Sequence, residues 1–385
     1  MEANRKLIKS FDWLLLLLVM ALVTVGILMI ANATGNPTAS RDEGWRAVVA
    51  SMEKGRVIRT ILWVVVGLVA SVVVMFVDYH TYGAAWRLFY WGSNIVLLLA
   101  LVVGEVVNGS RGWLLNGSIQ PSEIAKISLI ITLAHHLSQK PNGIQTLKEL
   151  MHVLVLVGIP LAIILAQNDT GTGFVYIFIL LILLFISGTN WKLLAGLGAV
   201  GLASLYPLWQ LLGDYQKTRF MVFLDPSLDP TGAGLNVLHS KIAIGSGQAT
   251  GRGFFALGSF CQLDYIPEKE TDFIFSIAGE TWGFVGAGFI IALYALLLLR
   301  LLILSRRSFD KLGSYLIVGV MAMLAFHIFE NIGMTLGVMP VTGIPLPFLS
   351  YGGSNMVTNM MAIGLVQNVC MRRRYSIFKE GELTA

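Results

Sequence analysis

The stretch WLLLLLVMALVTVGILMIA, residues 13–31, contains no charged side chain. A helix needs about 20 predominantly apolar residues to cross a hydrocarbon layer about 30 Å thick. Residues 13–31 are close to that length and apolar throughout, so they predict a membrane-spanning helix.

Runs of the same kind recur along the whole chain, and they predict about ten spanning helices. The predicted spans are Trp13–Ala31, Ile58–Val77, Ala85–Val103, Ile119–Leu137, His152–Gln167, Gly171–Ser187, Trp191–Leu212, Phe273–Leu304, Tyr315–Val338 and Leu346–Cys370. The expected fold class is therefore an all-α, polytopic integral membrane protein.

The composition excludes an ordinary water-soluble enzyme. Of the 385 residues, 56% are hydrophobic and 13% are charged, whereas a soluble domain carries about 25% charged residues. The net charge of +5 does not indicate nucleic-acid binding, because the basic residues lie mainly in short loops between apolar runs, as in membrane topology. Cys261 and Cys370 fall on opposite sides of the predicted membrane, so no disulfide is expected.

The distribution of basic residues predicts the orientation, since short cytoplasmic loops are enriched in Lys and Arg. One side of the predicted bundle carries Arg5, Lys6, Lys9, Arg87, Lys140, Lys148, Lys192, Arg306, Arg307, Lys311, Arg372, Arg373, Arg374 and Lys379. That side is expected to be cytoplasmic, and an even number of spans places both termini there.

Residues 213–272 form the one long polar segment, on the predicted outer side. Loops of that length are usually functional or disordered. Apolar stretches such as Lys241–Ile244 predict that this one is ordered and packs on the membrane face. We therefore expect one membrane domain, residues 1–385, that includes a large extracellular loop over residues 213–272.

Charged residues inside predicted spans are candidates for function, because burying one costs about 2.5–3.5 kcal/mol on insertion scales. Glu123 and Lys126 lie at i and i+3 on one face of the fourth span. They are either part of a functional cavity or an ion pair that lets the helix insert. The sequence does not separate these interpretations.

Two aspartates lie at the predicted outer ends of spans. Asp169, in the turn between the fifth and sixth spans, is interpreted first as a turn or capping residue. Asp272 precedes the eighth span, where it fits a helix N-cap. It also fits a carboxylate that accepts a proton, and the two roles are compatible.

Polar and conformationally special residues also occur in the last two spans. His327, Glu330 and Asn331 lie within one turn of the ninth span, as a structural or a functional cluster. The last span is preceded by Pro340–Ser354, with three prolines and three glycines. Because proline lacks an N–H and glycine permits unusual dihedrals, this segment predicts non-helical backbone at membrane depth.

Four long motifs resemble those of the SEDS family (shape, elongation, division and sporulation), and the resemblance covers nearly the whole chain. The motifs are Gln120–Lys126, Ser240–Gly247, Thr271–Phe275 and Pro340–Ser354. Asp225-Pro226, Asp229-Pro230 and Ser240-Lys241 resemble the elongation branch. The division and sporulation branches are the alternatives within the family.

The resemblance implies a peptidoglycan glycosyltransferase. In that reaction the 4-hydroxyl of one lipid-linked disaccharide-pentapeptide (lipid II) attacks the anomeric carbon of another, and undecaprenyl diphosphate leaves. The family's catalytic aspartate corresponds to Asp272, the expected base. The implied substrate-binding residues are Glu123, Lys126, Arg59, Arg219, Lys241 and Arg111, the last displaced by one position from the family's arginine.

The resemblance also implies partners and a location. We expect lipid II and undecaprenyl lipids, a class B penicillin-binding protein that cross-links the glycan, and the other elongation proteins, in the bacterial cytoplasmic membrane with the active site on its outer face. No dedicated cofactor or metal site is expected, although Mg²⁺ or Mn²⁺ could bind transiently through the diphosphate. The alternatives from other classes are a lipid II flippase and a scaffold that only activates the penicillin-binding protein.

Overall fold

The computed structural model describes residues 10–35, 54–107, 109–115, 117–211, 213–229, 232–256, 258–263 and 265–383, with side chains in the last helix described up to Arg372. The basic residues Arg5, Lys6 and Lys9, used above to predict orientation, lie outside these ranges. So do the side chains of Arg373, Arg374 and Lys379.

The described chain is almost entirely helical. Its helices are α1 (Trp13–Ala33), α2 (Lys54–Phe76), α3 (Tyr79–Ala84), α4 (Trp86–Val103), α5 (Pro121–Ser138), α6 (Leu147–Ala166), α7 (Thr170–Ile186), α8 (Trp191–Leu211), α9 (Asp214–Leu224), α10 (Ala233–Ser246), α11 (Ile274–Arg306), α12 (Lys311–Leu336) and α13 (Gly353–Leu383). A 3₁₀ turn covers Pro226–Leu228. Each of the ten predicted spans coincides with a helix, which confirms the polytopic all-α class.

Six helices of the described ranges, namely α1, α2, α4, α6, α11 and α12, are long and apolar enough to cross a membrane. Helix α7 and the Trp191–Ser204 part of α8 are shorter apolar segments. Helix α5 is less uniformly apolar, since it buries Glu123, Lys126 and Thr132. A bundle that buries polar residues and exposes apolar ones is what a lipid solvent requires.

The centre of the bundle is α12. It packs against α5, α7, α11 and α13, and most of its residues are buried. Helix α2 lies along α13, and α4 lies along α5. The outward faces are apolar, as shown by Leu17, Leu88 and Phe284, which are 63%, 74% and 80% exposed.

Two predicted spans start five or more residues away from the start of the observed helix. The fifth span begins earlier, at Leu147, because Thr146 and Glu149 form a capping box. The last span begins later, at Gly353, because Pro345 and Pro347 lie in backbone that is not helical. The predicted non-helical segment before α13 is thereby confirmed.

A short β-hairpin was not predicted from the sequence. Strand β1 (Glu105–Val107) pairs antiparallel with β2 (Ser110–Trp113) and forms a short hairpin after α4. Residues 213–272, predicted as an ordered loop, contain helices α9 and α10. Both cysteines are buried.

Candidate functional site

A tight turn before α11 holds Asp272. The carbonyl of Glu268 accepts hydrogen bonds from the backbone N–H groups of Thr271, Asp272 and Phe273 at 3.2, 3.1 and 3.3 Å. Glu268 has φ +54°, a conformation that non-glycine residues adopt infrequently. The turn therefore fixes the backbone of Asp272 without using its carboxyl group.

Asp272 is not the N-cap of α11, so the capping interpretation is wrong. The N-cap is Phe273, and no side chain makes a capping hydrogen bond there. The cap lies one residue later because the turn closes on Glu268. The Asp272 carboxylate is thus left available for another role.

Two other parts of the chain fix the turn in place. The Asn331 amide of α12 donates to the carbonyl of Asp272 and to that of Ile344, both at 2.8 Å. In the segment before α13, Tyr351 N–H donates to the Glu270 carbonyl at 2.8 Å, and the Ser350 hydroxyl donates to the Thr271 carbonyl at 2.5 Å. Non-helical backbone at this depth is thus supported by protein contacts.

Arg219 of α9 converges with Asp272 over Gly343. Its Nη1 donates to the Thr342 carbonyl at 3.2 Å. A Cβ atom at Gly343 would lie 3.3 Å from Asp272 Oδ2 and 3.9 Å from Arg219 Nη1, and Gly343 has φ +75°. The structure thus brings two of the predicted site residues together, with a glycine leaving room between them.

The electrostatic environment of Asp272 suits a group that exchanges protons near neutral pH. The pKa of Asp272 is raised to about 7, because burial and, less strongly, the charge of Glu268 raise it by more than Arg219 lowers it. A general base is most effective when its pKa lies near the working pH. Asp272 meets this condition.

Glu123 and Lys126 form the centre of a second, fully buried cluster. Lys126 Nζ donates to Glu123 Oε1 at 2.7 Å and lies 2.9 Å from Nε2 of His327. The other ring nitrogen of His327 is 2.7 Å from the Met323 carbonyl, so Nδ1 carries the hydrogen and Nε2 accepts from the lysine. Asn355 of α13 donates to Glu123 Oε2 at 3.1 Å.

Helix α12 connects the two clusters. His327 contacts Lys126, and Asn331, one turn further along the same face, contacts the backbone of Asp272. The predicted cluster of His327, Glu330 and Asn331 therefore lies between the two groups of predicted site residues.

The remaining predicted residues lie elsewhere. Lys241 of α10 is exposed, with its ammonium group beside Gly337 at the end of α12. Arg59 and Arg111 have exposed side chains, and within the described ranges neither makes a polar contact with Asp272. One turn before Arg59, Arg56 forms an ion pair with Glu270.

Asp169 is the N-cap of α7, where its side chain accepts from the N–H of Thr172 at 3.0 Å. This confirms the capping interpretation. Its carboxylate also accepts from the Gln120 amide at 3.0 Å and the Ser122 hydroxyl at 3.2 Å. Asp169 thereby connects this turn to the motif that carries Glu123 and Lys126.

A nearly apolar cavity of about 480 Å³ opens among α2, α4, α5 and α13. Val74 and Tyr82 line one end, Leu114 and Ile119 line the other, and the exposed Leu88 is at its rim. Its length follows the bundle, so it suits an elongated apolar ligand rather than a compact polar one.

Within the described residues, no group of three or more His, Cys, Asp or Glu side chains is placed to hold a metal ion. Sequence reasoning missed the contacts of Arg56, Asn355 and Thr342. Asn355 directly follows the motif that ends at Ser354, and Thr342 lies inside it, so the motif itself was the available signal.

Known proteins resemble the chain over nearly its full length. Residues 12–375 match the sequence model of a family described as cell cycle protein and named for FtsW, RodA and SpoVE. The peptidoglycan glycosyltransferase MrdB of Escherichia coli strain K12 is 36% identical over 368 residues, covering 94% of each chain.

Solved structures agree. One, from work on the structural coordination of polymerization and crosslinking by a peptidoglycan synthase complex, has a TM-score of 0.77 at 30% identity and covers 94% of this chain and 98% of its own. The rod shape determining protein RodA of Thermus thermophilus has a TM-score of 0.68 at 27% identity, covering 94% and 97%. The chain belongs to the SEDS family, the FtsW, RodA and SpoVE proteins.

Proposed function

We propose that the chain is a peptidoglycan glycosyltransferase that joins lipid II units into glycan strands during cell elongation. The observation that carries the proposal is the Asp272 carboxylate, which is not used as a cap and has a pKa near 7. It faces Arg219 at one end of a membrane bundle. The name of the E. coli relative supports the same activity.

Asp272 acts as the general base in this proposal. Its carboxylate takes the proton of the acceptor 4-hydroxyl as the oxygen bonds to the anomeric carbon of the donor. The bond from that carbon to the diphosphate oxygen breaks, and the electron pair leaves with undecaprenyl diphosphate. The turn on Glu268 and the two hydrogen bonds from Asn331 keep the base in one position.

Cationic groups are needed where charge develops on the departing diphosphate. The proposed contacts are Arg219, beside Asp272, and Lys241 of α10, whose ammonium group lies near the end of α12. Arg59, Arg111, Glu123 and Lys126 stay proposed substrate-binding residues. Mg²⁺ or Mn²⁺ would arrive with the diphosphate, since that ligand itself supplies oxygen donors.

The apolar cavity is the proposed site of the prenyl chain. A long hydrocarbon needs an elongated apolar surface, and the cavity among α2, α4, α5 and α13 is lined almost wholly by apolar side chains along these helices. Leu114 and Ile119, at one end of it, adjoin α5, which carries Glu123 and Lys126.

We propose that Asp272 faces the outer side of the bacterial cytoplasmic membrane and that both termini are cytoplasmic. At the opposite end of the bundle, Lys140 lies in a loop, and Arg87, Lys192 and Arg306 lie in terminal helical turns. Basic residues next to the ends of spans favour retention in the cytoplasm. The proposed partner is a class B penicillin-binding protein, within the elongation machinery. A structural relative studied as part of a synthase that polymerises and cross-links supports this partner.

The activity is tested with detergent-purified protein and labelled lipid II, alone and with its penicillin-binding protein, with and without a chelator. We expect glycan strands on an electrophoretic gel. The same preparation in liposomes is tested for lipid II translocation. Translocation without polymer would replace the proposal with the flippase. Polymer made at the same rate by the penicillin-binding protein alone would show that this chain is not the polymerase.

A further inference from the structure

Three glutamates are buried in the part of the chain that the structure describes, and one of them differs from the others. Glu123, Glu280 and Glu330 are 4%, 1% and 1% exposed. Glu123 accepts from Lys126 at 2.7 Å, and Glu280 accepts two backbone N–H groups at 2.8 and 3.0 Å. Neither carboxyl oxygen of Glu330 has a hydrogen-bond partner among the described residues.

Glu330 directly precedes the residue that holds the turn of the proposed base. The next residue, Asn331, donates its amide hydrogens to the carbonyls of Asp272 and Ile344. The Thr342 hydroxyl lies next to the Glu330 carboxyl but makes no hydrogen bond of standard geometry to it. The Thr342 carbonyl accepts from Arg219, so the same short segment faces both Glu330 and the Asp272 site.

The charges around this pair are unequal. The negative charge of Glu268, in the turn, and the positive charge of Arg219, on α9, both interact electrostatically with Asp272. The charges of Asp272 and Arg219 interact in the same way with Glu330. Two lysines lie near α12 on either side of Glu330. Lys126 contacts His327, which precedes Glu330, and Lys241 lies beside Gly337, which follows it. Lys126 is already paired with Glu123.

Two neighbouring carboxyl groups with little access to water do not both ionise at low cost, and they titrate as a pair. An ionised carboxylate that is buried without a partner is especially costly. Asp272 is partly exposed whereas Glu330 is enclosed. The charge of the pair is therefore better placed on Asp272.

We propose that Glu330 is a proton-bearing positioning residue, coupled to Asp272, which keeps its proton while Asp272 is ionised. This inference rests on the proposed function for its role in the reaction. The proton of the acceptor hydroxyl goes to Asp272, the new bond forms at the anomeric carbon, and the diphosphate leaves with the bonding electrons. The proton on Glu330 stays in place throughout, so one negative charge rather than two faces the anionic substrate.

The protonated carboxyl is observed directly by infrared spectroscopy of the detergent-purified full chain. In wild-type minus Glu330→Gln difference spectra at pH 7, we expect a C=O band of a protonated carboxylic acid that belongs to Glu330. Glu105→Gln, which changes an exposed glutamate on β1, is the matched control and should leave this band in place. Absence of the band from wild-type protein would overturn the proposal.

The coupling is tested separately with Asp272→Asn, which removes the neighbouring charge. Without that charge Glu330 loses its proton more readily, so the midpoint at which its band disappears should move to lower pH by about 1 unit or more. An unchanged midpoint would show that the two groups are not coupled. These readouts need no polymerase activity, so they fail independently of the proposed function.

In the polymerisation assay, Glu330→Gln should keep a higher turnover than Glu330→Leu at equal KM, because the amide keeps a neutral polar group of the carboxyl's shape beside the Thr342 hydroxyl, whereas leucine does not. Equal turnover of the two variants would contradict a positioning role. Thermal unfolding of both variants, measured alongside, separates this effect from loss of folded protein.

Discussion

At the scale of single residues, Asp272 is available for chemistry because the turn before α11 closes on a backbone carbonyl. The sequence identifies Asp272 but does not distinguish a helix cap from a base, since aspartate favours both. The distinction depends on Glu268, whose φ of +54° moves the cap to Phe273. Glutamate seldom adopts that conformation, so the residue type at position 268 did not predict the turn.

The environment of Asp272 predicts the pH dependence of the reaction. The carboxylate is the active form, and its pKa is raised to about 7, so the rate should rise with pH through about 7. Glu268→Gln removes a negative neighbour and lowers the pKa of Asp272, which moves this limb to lower pH. Arg219→Gln removes a positive neighbour and should move it to higher pH.

Initial rates of lipid II polymerisation, measured from pH 5 to 9 at saturating substrate, check both directions. Shifts of the same sign in the two variants would contradict the assignment of the limb to Asp272.

At the scale of secondary-structure elements, the spanning helices were predictable because the length and apolar composition of a segment predict a span. The interruptions were not. Helix α11 contains Gly283, with φ +66°, and residues 248–251 fill the break. The N–H groups of Phe284 and Val285 there donate to the carbonyls of Gln248 and Ala249 at 2.8 and 3.1 Å. That contact is distant in sequence, so a local pattern does not show it.

Gly283→Ala should destabilise the protein because the backbone there favours glycine and the space is filled. A Cβ at Gly283 would lie 2.7 Å from the Ala249 carbonyl carbon. We expect the free energy of unfolding to fall by more than about 1 kcal/mol. Gly288→Ala, on the same helix with open space around it, is the matched control. Thermal unfolding in detergent should distinguish the two, and equal stability would contradict this account.

Because Glu123 and Lys126 form a buried ion pair where α5 meets α12 and α13, substitutions of the two residues should have non-additive effects on stability. Lys126→Met leaves Glu123 buried without its cation, and removing one partner of a buried pair costs about 3–5 kcal/mol. The double variant Glu123→Gln with Lys126→Met leaves no charge and should be more stable than Lys126→Met alone. Unfolding temperatures of Glu123→Gln, Lys126→Met, the double variant and the wild type give the coupling, and strictly additive losses would rule out a stabilising pair.

At the scale of the whole molecule, the bundle exposes apolar side chains and buries polar ones, as lipid requires. Composition alone indicated this class, and the motifs contained Asp272 and the Glu123–Lys126 pair. Arg219, which lies beside Asp272, falls outside the four motifs. How the clusters join did not follow from sequence, because it depends on the rotation of α12. That rotation places His327 against Lys126 and Asn331 against the Asp272 turn.

The apolar cavity predicts dependence on the prenyl chain of the substrate. Gly92 lines the cavity and has open space where a side chain would lie, so Gly92→Phe should fold and fill part of it. We expect a raised KM for lipid II with its full prenyl chain and a smaller change for a short-chain analogue. Gly196→Phe, on α8 with equally open surroundings, is the control. Equal effects on both substrates would argue against prenyl binding there.

The central claim is that the Asp272 carboxylate acts as the general base of the polymerisation. The direct measurement is glycan-strand formation from labelled lipid II by Asp272→Asn, beside wild type and Asp225→Asn, which alters an exposed aspartate in the same 213–272 segment. With all three proteins equally stable in thermal unfolding, polymer should be lost in Asp272→Asn only. Polymer from folded Asp272→Asn at the wild-type rate would contradict the account.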